Sequence, residues 1–127
     1  MAVKVLIIDD DPDFTLATEA VLEVHGCQVS SASKGAEGFE KARKEGPDLI
    51  LLDVMLEDAS AGLEIVRKLR DDQGTSQIPV IILTGVKRAD QLLSRYAPGE
   101  KWPNVKAALE KPVDPEFLIK TVRKATE

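Results

Sequence analysis

Cysteine and aromatic side chains are scarce in this chain of 127 residues, and it has no excess of basic residues. Its single cysteine, Cys27, excludes an internal disulfide, which agrees with a reducing compartment. Lys and Arg number 17 against 22 Asp and Glu, and the net charge of −5 argues against a general nucleic-acid-binding surface. No apolar run approaches the roughly 20 residues that cross a bilayer. We therefore expect a cytoplasmic protein that contacts neither membrane nor nucleic acid directly.

The apolar content is sufficient for one core. With 43% apolar and 31% charged residues, the composition is typical of a globular protein. The apolar start of the chain meets acids at Asp9 before it could form a signal peptide. Because this length fits a domain of ordinary size, we predict one domain over residues 1–127.

Short apolar segments alternate with helical patterns along the chain. Strands are predicted at residues 3–8, 28–32, in the run from Leu49, at 80–83 and at 105–109. A helix is predicted after each strand. The fourth helix is predicted at Ala89–Tyr96, and the last begins with Asp114 and Pro115. Ser33 is predicted to cap the second helix, and Gly62 to precede the third. The alternation indicates an α/β fold with a doubly wound, five-stranded parallel sheet flanked by five helices.

One carboxylate interrupts the most apolar segment. The run Leu49–Leu56 reads as a strand covered on both faces, and Asp53 stands where the strand leaves the core. Alone, Asp53 would be interpreted as a residue of the turn that ends the strand. However, ligands in open α/β sheets gather outside the carboxyl ends of the strands, so this position also suits a functional site.

Other polar residues follow the first, fourth and fifth strands at the same edge: Asp9, Asp10, Thr84 and Lys111. Each has an ordinary explanation, since acids favour a helix N-terminus, threonine is common at strand ends and lysine is usually solvated. Together with Asp53 they form a constellation. Three carboxylates close together repel one another and are stable mainly around a hard divalent cation, of which Mg²⁺ fits best.

The constellation predicts phosphoryl transfer. A metal ion and Lys111 would neutralise charge on the transferring group, and Thr84 would hydrogen-bond one of its oxygens. Asp53 would be the nucleophile and would form an acyl phosphate.

Four motifs occur in this order along the chain: the acidic pair Asp9-Asp10, the strand-end Asp53, Thr84-Gly85 and Lys111-Pro112. In type and order they resemble the motifs of response-regulator receiver domains of two-component signalling systems. The resemblance implies the strand order 2-1-3-4-5. It also implies that Asp10, Asp53 and the main-chain carbonyl of Met55 bind Mg²⁺ directly, while Asp9 acts through water.

The same resemblance implies partners. A histidine kinase or phosphotransfer protein would donate the phosphoryl group in a phosphorelay. A conformational change would then signal to a downstream protein partner or a covalently attached effector. Such a domain is not an enzyme beyond catalysing its own phosphorylation and dephosphorylation.

This chain departs from the family pattern at four places. Glu57 replaces a proline in the loop after the acceptor, Ala61-Gly62 comes one residue later than the usual Asp-Gly, a few extra residues fall at Ala97–Asn104, and Ala108 stands where an aromatic residue is usual. The phosphorylation chemistry should survive these changes. The usual way in which such a domain signals that it is phosphorylated is altered.

Three other classes of protein share part of this pattern. A haloacid-dehalogenase-type phosphatase also uses a strand-end Asp, a Thr and a Lys, but only Asp114 and Glu116 offer the further acids it needs. A Rossmann-type nucleotide binder would have a glycine-rich turn where this chain has three carboxylates. A phosphorylation-independent receiver-like interaction module remains the alternative, although retention of all five motif residues argues against it.

Overall fold

The computed structural model describes residues 2–53, 59–84 and 103–127 of the chain. Within these ranges the strands are β1 (Lys4–Ile8), β2 (Gln28–Ala32), β3 (Leu49–Asp53), β4 (Val80–Thr84) and β5 (Val105–Glu110). The helices are α1 (Pro12–Val24), α2 (Gly35–Glu45), α3 (Ala59–Asp71) and α4 (Pro115–Ala125). Four of the five predicted helices are thus found in the described part, and the one predicted at Ala89–Tyr96 lies outside it.

All five strands form one parallel sheet in the order β2-β1-β3-β4-β5. This confirms the predicted α/β class and the strand order that the family resemblance implies. β3 occupies the centre, and every one of its residues is buried. Its unbroken apolar sequence follows from that position, because a central parallel strand is covered on both faces. β2 lies at an edge and is correspondingly more polar.

The core consists of two layers, one on each face of the sheet. Leu6 and Ile8 of β1 pack on one face with residues of α2 and α3. Val5 and Ile7 pack on the other face with residues of α1 and α4. This division follows from the alternation of side chains along a strand.

The order of the strands places a topological switch point at β1. β1 pairs with β2 on one side and with β3 on the other, so connections leave this point in opposite directions. Ligand sites of open α/β sheets lie at the carboxyl ends of strands at such a switch point. In this chain, Asp9 follows β1 directly and Asp53 ends β3.

The predictions for the N-termini of two helices are wrong. Helix α2 begins at Gly35 with Lys34 as an extended N-cap that makes no side-chain capping bond, so Ser33 does not cap it. Helix α3 begins at Ala59, ahead of the start predicted at Gly62. The upstream alanines favour helix strongly enough to extend it, and an interior glycine costs only about 1 kcal/mol.

Gly38 in α2 allows the helix to lie directly against β1. A Cβ atom at this position would lie 2.5 Å from Cδ1 and 2.6 Å from Cγ1 of Ile8, a fully buried side chain. We expect Gly38→Ala to lower the free energy of unfolding by about 1–3 kcal/mol, because overpacking outweighs the gain in helix propensity. Urea unfolding measures this loss.

A double-mutant cycle provides the control for Gly38. Ile8→Ala removes all three Ile8 atoms that the new Cβ would meet. In that background, Gly38→Ala should be neutral or stabilising. An equal loss in both backgrounds would show that the contact with Ile8 is not the cause.

Candidate functional site

Carboxylates and one ammonium group converge at the carboxyl edge of the sheet. Asp9 follows β1, Asp53 is the last residue of β3, and Lys111 follows β5. The Lys111 Nζ lies 2.6 Å from Asp9 Oδ2 and 3.4 Å from Asp53 Oδ2. Residues far apart in sequence are therefore brought within hydrogen-bonding distance, as the strand-end pattern predicts.

The loop after β1 is held by its own acidic side chains. The backbone N–H of Asp11 donates to Asp9 Oδ1 at 2.9 Å. Asp11 is the N-cap of α1, and its Oδ1 accepts from the N–H groups of Asp13 and Phe14. Pro12 occupies the first helical position, where a missing N–H costs nothing. Part of the acidity is thus capping, and Asp9 is left facing the site.

Burial sets the electrostatics of the Asp9 carboxyl. Its side chain is fully inaccessible to solvent, and the Asp53 side chain is only 8% exposed. Burial raises the pKa of Asp9 above its usual value, and this outweighs the hydrogen bonds from Lys111 and from the Asp11 backbone, which favour the charged form. The charge of Asp53 raises the pKa of Asp9 further. An additional cation would offset the unfavourable burial of the Asp9 carboxylate and its repulsion by Asp53.

Lys111 is held charged by its partners. Burial alone would lower the pKa of its ammonium group, but the hydrogen bond from Lys111 to Asp9 and the charge of Asp53 outweigh burial, so the pKa is raised. The side chain is 15% exposed. A permanently charged ammonium group beside Asp53 can stabilise negative charge that develops there.

The donor set fits Mg²⁺. Carboxylate oxygens of Asp9, Asp10 and Asp53 all lie within 4.8 Å of one another, Asp10 being exposed and the other two buried. Mg²⁺ takes oxygen ligands, accepts one or two carboxylates and retains waters that a phosphate can replace. The exposed Asp10 leaves one side of the cluster open to such a ligand.

Two predicted site residues are described only in part or not at all. The backbone of Thr84 ends β4 and is in register with Glu110, so it lies at the same edge as Asp53. The Thr84 side chain and the whole of Met55 lie outside the described part of the chain, and their predicted roles remain predictions.

Sequence reasoning missed two contacts in the site. The Asp9 carboxylate pairs directly with Lys111, and its role toward a metal ion through water remains a prediction. The sequence shows Phe14 only as an apolar residue at helical spacing in the first helix, whereas the Lys111 Nζ lies 4.1 Å from the centroid of its ring. Neither contact has a local sequence signal. The peptide bond between Lys111 and Pro112 is cis.

None of the helices in the described ranges is long and apolar enough to cross a membrane.

Comparisons with known proteins agree with this geometry. Protein PilH of Pseudomonas aeruginosa is 39% identical over 119 residues, which cover 94% of this chain and 93% of PilH. RpaA of Synechocystis, described as a DNA-binding dual master transcriptional regulator, is 34% identical over 94% of this chain, which spans only 47% of RpaA. The chemotaxis response regulator CheY4 of Vibrio cholerae superposes with a TM-score of 0.83 at 27% identity, with 98% of this chain and 99% of CheY4 covered.

The family assignment rests on a match over most of the chain. Residues 5–123 match the family model described as the response regulator receiver domain. The sheet order is the one that the sequence resemblance implies, and Asp9, Asp53 and Lys111 lie at the carboxyl edge of that sheet. The chain therefore belongs to the receiver domains of two-component response regulators.

Proposed function

We propose that Asp53 accepts a phosphoryl group from the phosphohistidine of a histidine kinase or phosphotransfer protein, or from a small phosphodonor, in a Mg²⁺-dependent reaction. One observation carries the proposal: a buried carboxylate at the end of β3 meets two further carboxylates and a charged lysine. Receiver domains are signalling domains rather than classical enzymes. The self-catalysed step is part of the proposal.

The transfer is a simple displacement. An Asp53 oxygen forms a bond to phosphorus while the bond from phosphorus to the donor atom breaks. The donor nitrogen or oxygen keeps that electron pair, and a phosphohistidine that is protonated on its other ring nitrogen leaves as neutral imidazole. The product is an acyl phosphate.

Six residues take part in this scheme. Lys111, already 3.4 Å from Asp53, would pair with an oxygen of the phosphoryl group. Asp10 and Asp53, with the Met55 carbonyl, would hold Mg²⁺ directly, and Asp9 would support it through water. Bound there, Mg²⁺ supplies neutralisation of charge on the transferring group. The Thr84 hydroxyl would donate to a second phosphoryl oxygen.

We further propose that residues 1–127 work as one cytoplasmic receiver domain that signals to a protein partner or to an attached effector. Relatives of both lengths support the proposal: the chain covers 93% of PilH but only 47% of RpaA, which is described as a DNA-binding transcriptional regulator. With a net charge of −5, the domain itself is expected to make no direct contact with nucleic acid. Membrane contact is likewise not part of the proposal.

Intact mass spectrometry after incubation with acetyl phosphate tests the chemistry. With Mg²⁺ present, we expect the chain to gain the mass of one phosphoryl group. With EDTA in place of Mg²⁺, we expect no gain, because the carboxylate cluster then repels an incoming phosphate. An unmodified chain in Mg²⁺ would favour the phosphorylation-independent interaction module, and equal modification in EDTA would refute the metal requirement.

A further inference from the structure

Phe14 lies against the functional ammonium group. It is the third residue of α1, is half-buried, and packs at the edge of the core layer shared by α1 and α4. The 4.1 Å between its ring centroid and the Lys111 Nζ is well within the range of a cation–π contact. The proposed chemistry assigns no task to this side chain.

The acidic loop fixes the position of Phe14. Asp9 Oδ1 accepts the backbone N–H of Asp11, whose own carboxylate accepts the N–H of Phe14 at 3.2 Å. The Phe14 ring contacts the Lys111 Nζ, which donates to Asp9 Oδ2. Asp9, Asp11, Phe14 and Lys111 are thus linked in a closed ring of contacts. The loop that supplies the carboxylates therefore also places the Phe14 ring over the lysine.

A lysine beside a transferring phosphoryl group needs such a constraint. Its four-carbon side chain is flexible, and its ammonium group is strongly hydrated. The ring occupies one side of the Lys111 ammonium group and offers no competing strong acceptor. The N–H donors are therefore left to the carboxylates of Asp9 and Asp53, and water is kept from the side that the ring covers.

We propose that Phe14 is a positioning residue that holds the Lys111 ammonium group toward Asp53 for phosphoryl transfer. The inference rests on the proposed function, since it assigns Phe14 a task in that reaction. It differs from a packing role in one respect: the effect of Phe14 must depend on the aromatic face and on Lys111.

The rate of phosphorylation by acetyl phosphate at saturating Mg²⁺ tests the inference. Phe14→Leu keeps an apolar side chain but removes the ring, and we expect a rate about tenfold lower, which corresponds to about 1.4 kcal/mol. Phe14→Tyr keeps the ring face and should retain most of the rate. The Mg²⁺ affinity should be unchanged in both variants, because no carboxylate is altered.

Phe39→Leu is the matched control. Phe39 lies in α2, packs partly buried against the opposite core layer, and has Arg43 and Lys68 at 5.7 and 6.0 Å from its ring centroid. The substitution therefore removes an aromatic residue with cationic neighbours but leaves the site untouched. Its phosphorylation rate should equal that of the unchanged chain.

A spectroscopic measurement tests the contact without phosphorylation. In the unchanged chain the ring current of Phe14 should shift the ε-CH₂ proton signals of Lys111 upfield. The shift should disappear in Phe14→Leu and persist in Phe14→Tyr and Phe39→Leu. An ε-CH₂ signal at the ordinary lysine position in the unchanged chain would overturn the inference.

The outcomes separate the inference from the proposed function. A Phe14→Leu chain phosphorylated at the unchanged rate overturns the positioning role while leaving Asp53 as the acceptor. Equal slowing in Phe14→Leu and Phe14→Tyr also overturns it, because the ring face would then not matter. A wild-type chain that gains no phosphoryl group overturns the proposed function and the positioning role with it.

Discussion

Asp53→Asn is expected to abolish the gain of one phosphoryl group with acetyl phosphate and Mg²⁺. An amide is a poor nucleophile and cannot form the acyl phosphate. Asparagine has nearly the size of aspartate, so β3 and the buried layers around it should stay intact. Removing a carboxylate that faces Asp9 also relieves repulsion, so the melting temperature should not fall. Intact mass spectrometry should find no modified chain.

Asp48→Asn is the matched control for Asp53. Asp48 precedes β3 and so lies at the opposite end of the same strand, where its Oδ2 accepts the backbone N–H of Lys4 at 2.9 Å. This variant should be phosphorylated like the unchanged chain. Modification of Asp53→Asn at the level of the control would place the acceptor elsewhere.

Lys111→Met is expected to slow phosphorylation by acetyl phosphate about a hundredfold, the usual effect of removing one group that stabilises transition-state charge. The methionine side chain has similar length but no charge, so the phosphoryl oxygens lose their ammonium partner. Stopped incubations analysed by intact mass give the rate. Asp53 remains in place, so slow modification should still occur.

Loss of Lys111 also affects stability, and this must be measured alongside. Asp9 is fully inaccessible and would lose its ion pair with Lys111, at a cost of about 1–3 kcal/mol. Thermal unfolding shows whether the variant is folded at the assay temperature. Lys106→Met is the control, since Lys106 is an exposed residue of the same strand β5 whose Nζ donates to the Pro103 carbonyl. Equal rates for the two variants would remove Lys111 from the mechanism.

The sheet and the meeting of its strand ends could be predicted from the sequence. Buried parallel strands can be recognised in the sequence as short apolar runs. A charged residue at the end of such a run can be recognised in the same way. Asp53 at the end of a fully buried strand is the clearest example. Once the strands are parallel, their carboxyl ends share an edge, so the positions of Asp9 and Lys111 follow without knowledge of the loops.

Contacts that depend on side-chain direction could not be predicted. The helical spacing of Phe14 indicates only that it faces inward, and whether it meets the core or Lys111 depends on how the first turn of α1 is anchored. From the sequence, Gly38 only lowers the expected stability of its helix. The structure shows why a glycine is needed there, because Ile8 lies too close to leave room for a Cβ atom. Helix starts also depend on small energies, and the early start of α3 at Ala59 shows this.

Locating the phosphoryl group tests the central claim most directly. Borohydride reduces an acyl phosphate of aspartate to homoserine, and peptide mass spectrometry then identifies the converted residue. After treatment with acetyl phosphate and Mg²⁺, we predict homoserine at position 53 and unchanged aspartate at positions 9 and 10. Conversion of Asp9 or Asp10 with Asp53 intact, or a phosphoryl group retained on another residue type, would contradict the account.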